Sequence, residues 1–168
     1  MWHRQRMHYT AIGQFLFLLM VANGAPIIAR DILQERWSYP IDGGKTWYDG
    51  RPLFGPAKTV RGLLAASVAT GCAAPLVGCS ILLGVLIGLC AMCGDLLSSF
   101  VKRRLGMQSS ASALGLDQGL EALGPALVFR TPFAFQAVEI VTIVLVFFVV
   151  EIGLSRVLYH LHLRNRPL

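Results

Sequence analysis

The sequence predicts an all-α integral membrane protein with about five transmembrane helices, N-terminus out and C-terminus cytoplasmic. Three observations lead there. Of 168 residues, 55% are hydrophobic and only 14% charged, whereas charged residues make up roughly a quarter of a soluble domain. Residues 11–29 and 62–94 contain no charged side chain. The cations, finally, are distributed unevenly between the two sides that such runs would separate.

Residues 11–29 are enough for about 28 Å of helix at ~1.5 Å per residue, which matches one crossing. The preceding Arg4 and Arg6 give this run the flavour of a secretory leader, but Asn23-Gly24-Ala25-Pro26 is a poor cleavage site, so a retained first span is expected. Asn23 and Pro26 interrupt the apolar pattern. Two readings stand: a kinked helix end, or a polar notch facing a site.

Residues 30–61 form a polar loop with Arg30, Arg36, Lys45, Arg51, Lys58 and Arg61, and with Trp37, Tyr39, Trp47 and Tyr48 suited to the headgroup layer. The following run, 62–94, would reach about 50 Å as one helix, too long for a hydrocarbon core of ~30 Å. Ala74-Pro75-Leu76-Val77-Gly78 supplies a turn, so two short spans are expected. Gly84 and Gly88 in the second allow another helix to come close. Cys72, Cys79, Cys90 and Cys93 read as small, buried packing residues, because zinc needs about four ligands and no histidine is near. His3, His8, His160 and His162 read as solvated or headgroup-facing.

A second cytoplasmic loop is expected over 96–115. Leu116–Phe129 is a short fourth span interrupted by Asp117 and Glu121, and Phe133–Leu154 is the fifth, carrying Glu139 and Glu151. For these two glutamates interfacial or paired structural roles are favoured. With five spans, every Lys and Arg except Arg4, Arg6 and Arg130 lies on one side, the strong asymmetry that cytoplasmic loops show. No polar linker divides the chain, so residues 1–168 are read as a single membrane-embedded domain, in the cell (cytoplasmic) membrane.

The net charge of +6 does not imply nucleic acid, since the cations alternate with apolar runs; anionic membrane lipids and phosphates are the better partners. On a helix leaving the membrane, Asp95, Ser98, Ser99 and Lys102 stand at i, i+3, i+4 and i+7 and share a face. Asp117 and Glu121 do the same where the next span starts. Two carboxylates at one leaflet suit Mg²⁺, which takes one or two of them and completes its shell with water and phosphate. Lys58, Arg61, Lys102, Arg103 and Arg104 offer charge for a triphosphate or lipid phosphate. Gly55–Thr59 looks superficially like a P-loop, but Ala57 stands where a glycine should precede Lys58, so a Walker-type NTPase is rejected.

Asn23-Gly24-Ala25-Pro26, Asp49-Gly50-Arg51, Gly55-x-x-Lys58-Thr59-Val60-Arg61-Gly62, the run Gly94–Gly106 and Leu116-Asp117-Gln118 resemble the CDP-archaeol synthase family, distant relatives of phosphatidate cytidylyltransferases. The resemblance implies a five-span enzyme that transfers CMP from CTP to a lipid phosphate with Mg²⁺ and releases pyrophosphate. It makes Asp95 and Asp117 the metal-binding carboxylates and places Lys102 and Arg103 near phosphate. The chain departs from the family pattern at Leu120, where an aspartate is common; Glu121 follows one place later. The expected catalytic residues are Asp95, Asp117 and Lys102, with Asp95, Asp117 and Glu121 toward metal. Substrate contacts are expected from Asn23, Pro26, Asp49, Arg51, Lys58, Thr59, Arg61, Ser98, Ser99, Arg103 and Arg104, with Asn23 and Pro26 bordering the path of the lipid. A CTP-dependent lipid kinase, a non-catalytic anionic-lipid binder and a small transporter are the alternatives.

Overall fold

The computed structural model describes residues 8–108 and 115–160, with side chains of the last helix as far as Gly153. His3, Arg4, Arg6, His162, Arg164 and Arg166, and the Ser/Ala-rich passage 109–114, lie outside the described residues. Five α-helices follow in order: α1 (Tyr9–Leu33), α2 (Val60–Ala73), α3 (Ile81–Arg104), α4 (Leu116–Val128) and α5 (Ala137–His160). Among the described residues there is no strand, only two isolated bridges, Pro40 to Thr59 and Thr46 to Pro52, inside the 34–59 loop.

Each boundary has a local cause. The Thr59 hydroxyl accepts the Gly62 N–H at 3.2 Å and starts α2; the Ser80 hydroxyl does the same for Leu83 and starts α3. Between them, Ala74–Val77 forms one 3₁₀ turn closed by Gly78 at φ 76°, a conformation glycine adopts without strain. The long uncharged run is thus two helices, as its length requires.

Pro26 does not end α1, which continues for seven residues to Leu33. Proline leaves the carbonyl four residues back without its donor, a loss of one bond that the two flanking turns tolerate. The Asn23 amide turns back onto its own helix, donating to the Leu19 carbonyl at 3.1 Å.

α1 packs against α2, α3 and α5, and the remaining neighbours run α2–α3–α4–α5. Phe15, Leu18 and Leu19 of α1 are fully buried with Ile87 of α3 and Ile143 and Phe147 of α5. Outward faces are equally apolar: Leu64, Val68, Leu82, Val141 and Val149 are all more than half exposed. Such a continuous apolar exterior is the chemistry of a surface in contact with lipid. Among the described residues, three segments, Tyr9–Leu33, Val60–Val77 and Ile81–Arg104, are long and apolar enough to cross a membrane. At 13 residues α4 reaches only about 20 Å.

Glycines set the spacing. A Cβ on Gly84 would lie 2.5 Å from the Thr70 carbonyl oxygen, and one on Gly88 would lie 3.0 Å from that of Ala66, so the expected close partner of the Gly84/Gly88 face is α2. Gly94 does the same for α4, whose backbone at Leu120 and Glu121 occupies the space a side chain would need. The cysteines divide differently from expectation. Cys79 and Cys90 pack against the core, while Cys72 and Cys93 are exposed on the outer faces, where a thiol suits lipid as well as protein; all four are free. Glu139 is structural, as expected: it accepts the Gln136 and His8 N–H groups at 2.8 and 2.6 Å and ties the start of α5 to that of α1.

Gly94→Ala is expected to push α4 off α3 and cost about 1–3 kcal/mol, whereas Gly124→Ala, with open space around it, is neutral or gains up to ~1 kcal/mol of helix propensity. Melting curves of the detergent-solubilised variants read both, and equal melting temperatures would contradict the close approach.

Candidate functional site

At the C-terminal end of α1 and α3 and the start of α2 and α4, the helices diverge around a cavity of about 670 Å³. The loop between α1 and α2 covers it with Ser38, Ile41, Phe54 and Pro56, and α5 contributes Glu151. The wall carries as many carboxylates (Glu35, Asp95, Asp117, Glu121, Glu151) as cations (Arg30, Lys58, Arg61, Lys102, Arg103).

The charges are paired across elements. Lys58 Nζ, from the loop, lies 2.5 and 2.6 Å from the two Asp95 oxygens of α3. Lys102 Nζ, from α3, lies 2.9 Å from each Asp117 oxygen at the first turn of α4. Side chains of the second pair are 8% and 13% exposed. A pair so deep owes its existence to mutual neutralisation, since deleting one partner strands the other charge at a cost of about 3–5 kcal/mol. Glu121, buried one turn beyond Asp117, lies close to Asp95 on the cavity wall, and Glu151 and Lys58 are the next charges it feels. That proximity follows from Gly94, because the missing side chain lets the backbone of Glu121 settle beside the residue that precedes Asp95.

Two arginines are held with donors to spare. Arg61, 7% exposed, gives Nη1 to the carbonyls of Gln34 and Arg36 at 2.6 and 2.7 Å, terminating α1. Arg103, 6% exposed, gives Nη2 to the Gln108 carbonyl. The Nε atoms of both are buried without a hydrogen-bond partner among the described residues. Unsatisfied buried donors are costly, about 1–3 kcal/mol each, and are rare unless a ligand supplies the acceptor. The positive end of α2, at Thr59 to Leu63, also opens on this cavity.

Of the sequence candidates, Asn23, Pro26, Lys58, Thr59, Arg61, Asp95, Ser99, Lys102, Arg103, Asp117 and Glu121 line the cavity together. Asp49, Arg51, Ser98 and Arg104 do not. The Ser98 hydroxyl donates to the carbonyl of Asp95 at 2.9 Å. Asp49, Arg51 and Arg104 bond to one another and to main chain outside the cavity. Glu151, for which an interfacial or paired structural role was expected, also lines the cavity. Its signal was a carboxylate within an apolar span; its register relative to α4 was not visible. Arg30, Gln34 and Glu35 enter because α1 continues past Pro26.

The donor set suits a hard divalent cation, with carboxylate oxygens from two helices facing one water-accessible space. Among the described residues no group of three His, Cys, Asp or Glu side chains is clustered as a ready-made metal cage. The lysine ammoniums lie against the carboxylates of Asp95 and Asp117 instead.

A bundle of apolar-faced helices whose polar groups converge on one acid- and base-lined cavity at the helix ends defines a multi-pass membrane protein with a charge-lined cavity. A family model described as CDP-archaeol synthase (CarS-like) matches residues 72–168. CDP-archaeol synthase of Sulfurisphaera tokodaii is 34% identical over a 169-residue alignment covering 95% of this chain and 97% of the relative. That of Pyrobaculum islandicum is 34% identical, covering 91% and 97%, and that of Hyperthermus butylicus 42%, covering 59% and 60%. A solved structure described as an intramembrane enzyme for archaeal membrane lipids biosynthesis superposes with a TM-score of 0.72 at 29% identity, covering 83% of this chain and 89% of that one. The chain belongs to the CDP-archaeol synthase family.

The covering loop has its own anchor. Asp42 accepts the N–H groups of Gly44, Phe54 and Gly55, each at 3.0 Å. Burial raises its pKa, but these three donors outweigh burial and hold it below the usual carboxylate value. A depressed folded pKa stabilises above the unfolded value of about 3.9 and is lost as pH falls through the folded one. Protease resistance of the loop is therefore expected to be flat from about pH 8 to 5 and to fall below about pH 4. Asp42→Asn should lose ~1–2 kcal/mol near neutrality and lack its share of the acid-side fall; an unchanged acid profile in that variant would remove Asp42 from the account.

Proposed function

We propose that the chain is a CTP-dependent cytidylyltransferase that transfers CMP to a lipid phosphate, giving a CDP-activated lipid and pyrophosphate. The observation that carries this reading is the convergence of paired lysines and aspartates with two under-bonded, buried arginines on one cavity among lipid-facing helices. Family membership supports it over a lipid kinase, a lipid binder or a transporter.

The chemistry asks little of a base. The acceptor phosphate oxygen is already anionic; it attacks the α-phosphorus of CTP, and the bond from that phosphorus to the bridging oxygen of the β-phosphate breaks with pyrophosphate leaving. The obstacle is repulsion among phosphates, which fixed cations relieve. Asp95, Asp117 and Glu121 are the residues that would hold Mg²⁺, which neutralises phosphate charge and aligns attacking and leaving oxygens. Lys58 and Lys102, which neutralise these carboxylates, are the cations that would face phosphate oxygens. Arg61 and Arg103 meet the same anion through Nε. Glu121 takes the place of the aspartate that the family pattern has at position 120, reaching the site from the next position because its backbone abuts Gly94. Asn23 and Pro26, on the membrane side of the cavity wall, border the path of the lipid.

The topology that fits this site is five spans in one domain, with the N-terminus out and the loops 30–61 and 96–115 in the cytoplasm, in the cell membrane. Soluble CTP then meets a substrate whose tails stay in lipid. The cation distribution supports that orientation.

Purified protein with labelled CTP, Mg²⁺ and a panel of ether- and ester-linked lipid phosphates is expected to form CDP-lipid and pyrophosphate. CDP with a newly phosphorylated lipid would instead indicate a kinase. Chelator should abolish turnover, and Asp95→Asn and Asp117→Asn should each lower it at least ~100-fold while the elution profile stays that of folded protein. Full activity in either variant overturns the site assignment. Reporter fusions should place the C-terminus in the cytoplasm and the N-terminus outside, and the reverse pattern overturns the topology.

A further inference from the structure

Of the family-motif residues outside the cavity, Asp49, Arg51 and Arg104 make contacts that share one geometry. Arg51 Nη1 donates to the carbonyls of Arg104 and Arg103 at 2.7 and 3.4 Å, in the last turn of α3, where the Arg103 carbonyl also accepts the Gly106 N–H at 3.1 Å. Arg104 answers across the same gap: Nη2 donates to the carbonyls of Arg51 and Pro52 at 3.2 and 2.6 Å, and Nη1 pairs with Asp49 Oδ1. Asp49 Oδ1 also accepts the Arg51 N–H at 3.1 Å, which fixes the turn that presents Arg51. The Arg51 guanidinium fills the space over Gly106, where a Cβ would lie 3.3 Å from Nη1 and φ is 76°. Phe100 forms the floor, 5.1 Å beneath the Arg104 guanidinium and edge-on to Trp47 at 5.6 Å.

We infer that Asp49, Arg51 and Arg104 are positioning residues: a reciprocal arginine clasp that locks the 45–58 loop onto the end of α3 and sets the main chain from which Arg103 reaches the cavity. The inference rests on reading that cavity as the substrate site. The loop it fastens supplies Phe54, Pro56 and Lys58 to the cavity wall, and the carbonyl it grips belongs to Arg103 itself. The Asp49–Arg104 ion pair contributes little, because its side chains are 40% and 20% exposed and water screens the charges. The strength lies in the guanidinium geometry: Arg51 Nη1 spans two carbonyls while the group fills the space over Gly106, and Arg104 reaches two carbonyls through Nη2 and Asp49 through Nη1, positions that one ammonium nitrogen does not reproduce. A contact that served through charge alone would be kept by lysine.

The test uses the full chain in lipid nanodiscs with Arg51→Lys, Arg51→Ala, Arg104→Lys, Arg104→Ala, the double lysine variant, and Arg51→Lys combined with Arg103→Ala. Hydrogen exchange of amides 45–58 is read together with the kinetics of CTP-dependent CDP-lipid formation. Each lysine variant is expected to raise loop exchange about tenfold and lower kcat/KM about tenfold, as its alanine counterpart does. The double variant should be no worse than either single one, and Arg51→Lys should add little once Arg103 is alanine. Unchanged loop exchange, or lysine variants that keep the activity their alanine counterparts lose, would overturn the clasp in favour of direct charge contact with substrate, and multiplying effects would overturn its reciprocity. Unchanged protection of α1 to α3 in the same spectra verifies folding. Exchange needs no turnover, so wild-type protein inert toward CTP refutes the functional reading, while the loop exchange decides the clasp by itself.

Discussion

The structure depends on keeping charge neutral where helices leave an apolar environment. Asp95 and Asp117 sit at the ends of apolar helices, and neither is tolerable there alone. Each is matched by a lysine from a different segment: Lys58 brings the first loop to α3, and Lys102 brings α3 to α4. These bonds therefore do two things at once. They hold the loop and α4 in place, and they keep both carboxylates on the wall of the cavity.

Close backbone contact makes the pairing possible. Gly84 and Gly88 seat α3 on α2, and Gly94 seats it on α4. In a lipid-facing bundle apolar burial gives little drive for one helix to choose another, so small residues that admit close packing carry more of the specificity. The position after Gly94 is Asp95 and the backbone against it is that of Glu121. Packing thus places Asp95 and Glu121 together on the cavity wall.

The polar loop divides its labour by distance from the cavity. Asp42 gathers three amides and gives the loop its shape. The guanidinium forks of Arg51 and Arg104 fasten it to α3 on the outer side, and Lys58 engages Asp95 on the inner side. Arg61 serves both ends, terminating α1 through Nη1 while its Nε remains available in the cavity wall. The site is fastened on two flanks around a charge-lined centre, which suits a reaction that must admit a triphosphate and release pyrophosphate.

Much of this was legible in the residues themselves. Uncharged run lengths and the Pro75–Gly78 turn determine the first three helices, because hydrocarbon thickness and helical rise are fixed quantities; the last two are read from apolar runs interrupted by carboxylates. The i, i+3, i+7 spacing determines that Asp95 and Lys102 share a face, and the motifs name the family. Pairing was not legible: that Lys58 takes Asp95, and Lys102 takes Asp117, depends on how α2, α3 and α4 are seated by glycines far apart in sequence. Nor was the placement of Glu151 beside Glu121, or the removal of Asp49, Arg51 and Arg104 from the cavity to its outer flank. Local sequence dictates helical period and span because both arise from near neighbours along the chain; which charges meet is decided by contacts between distant segments, and only the tertiary structure holds those.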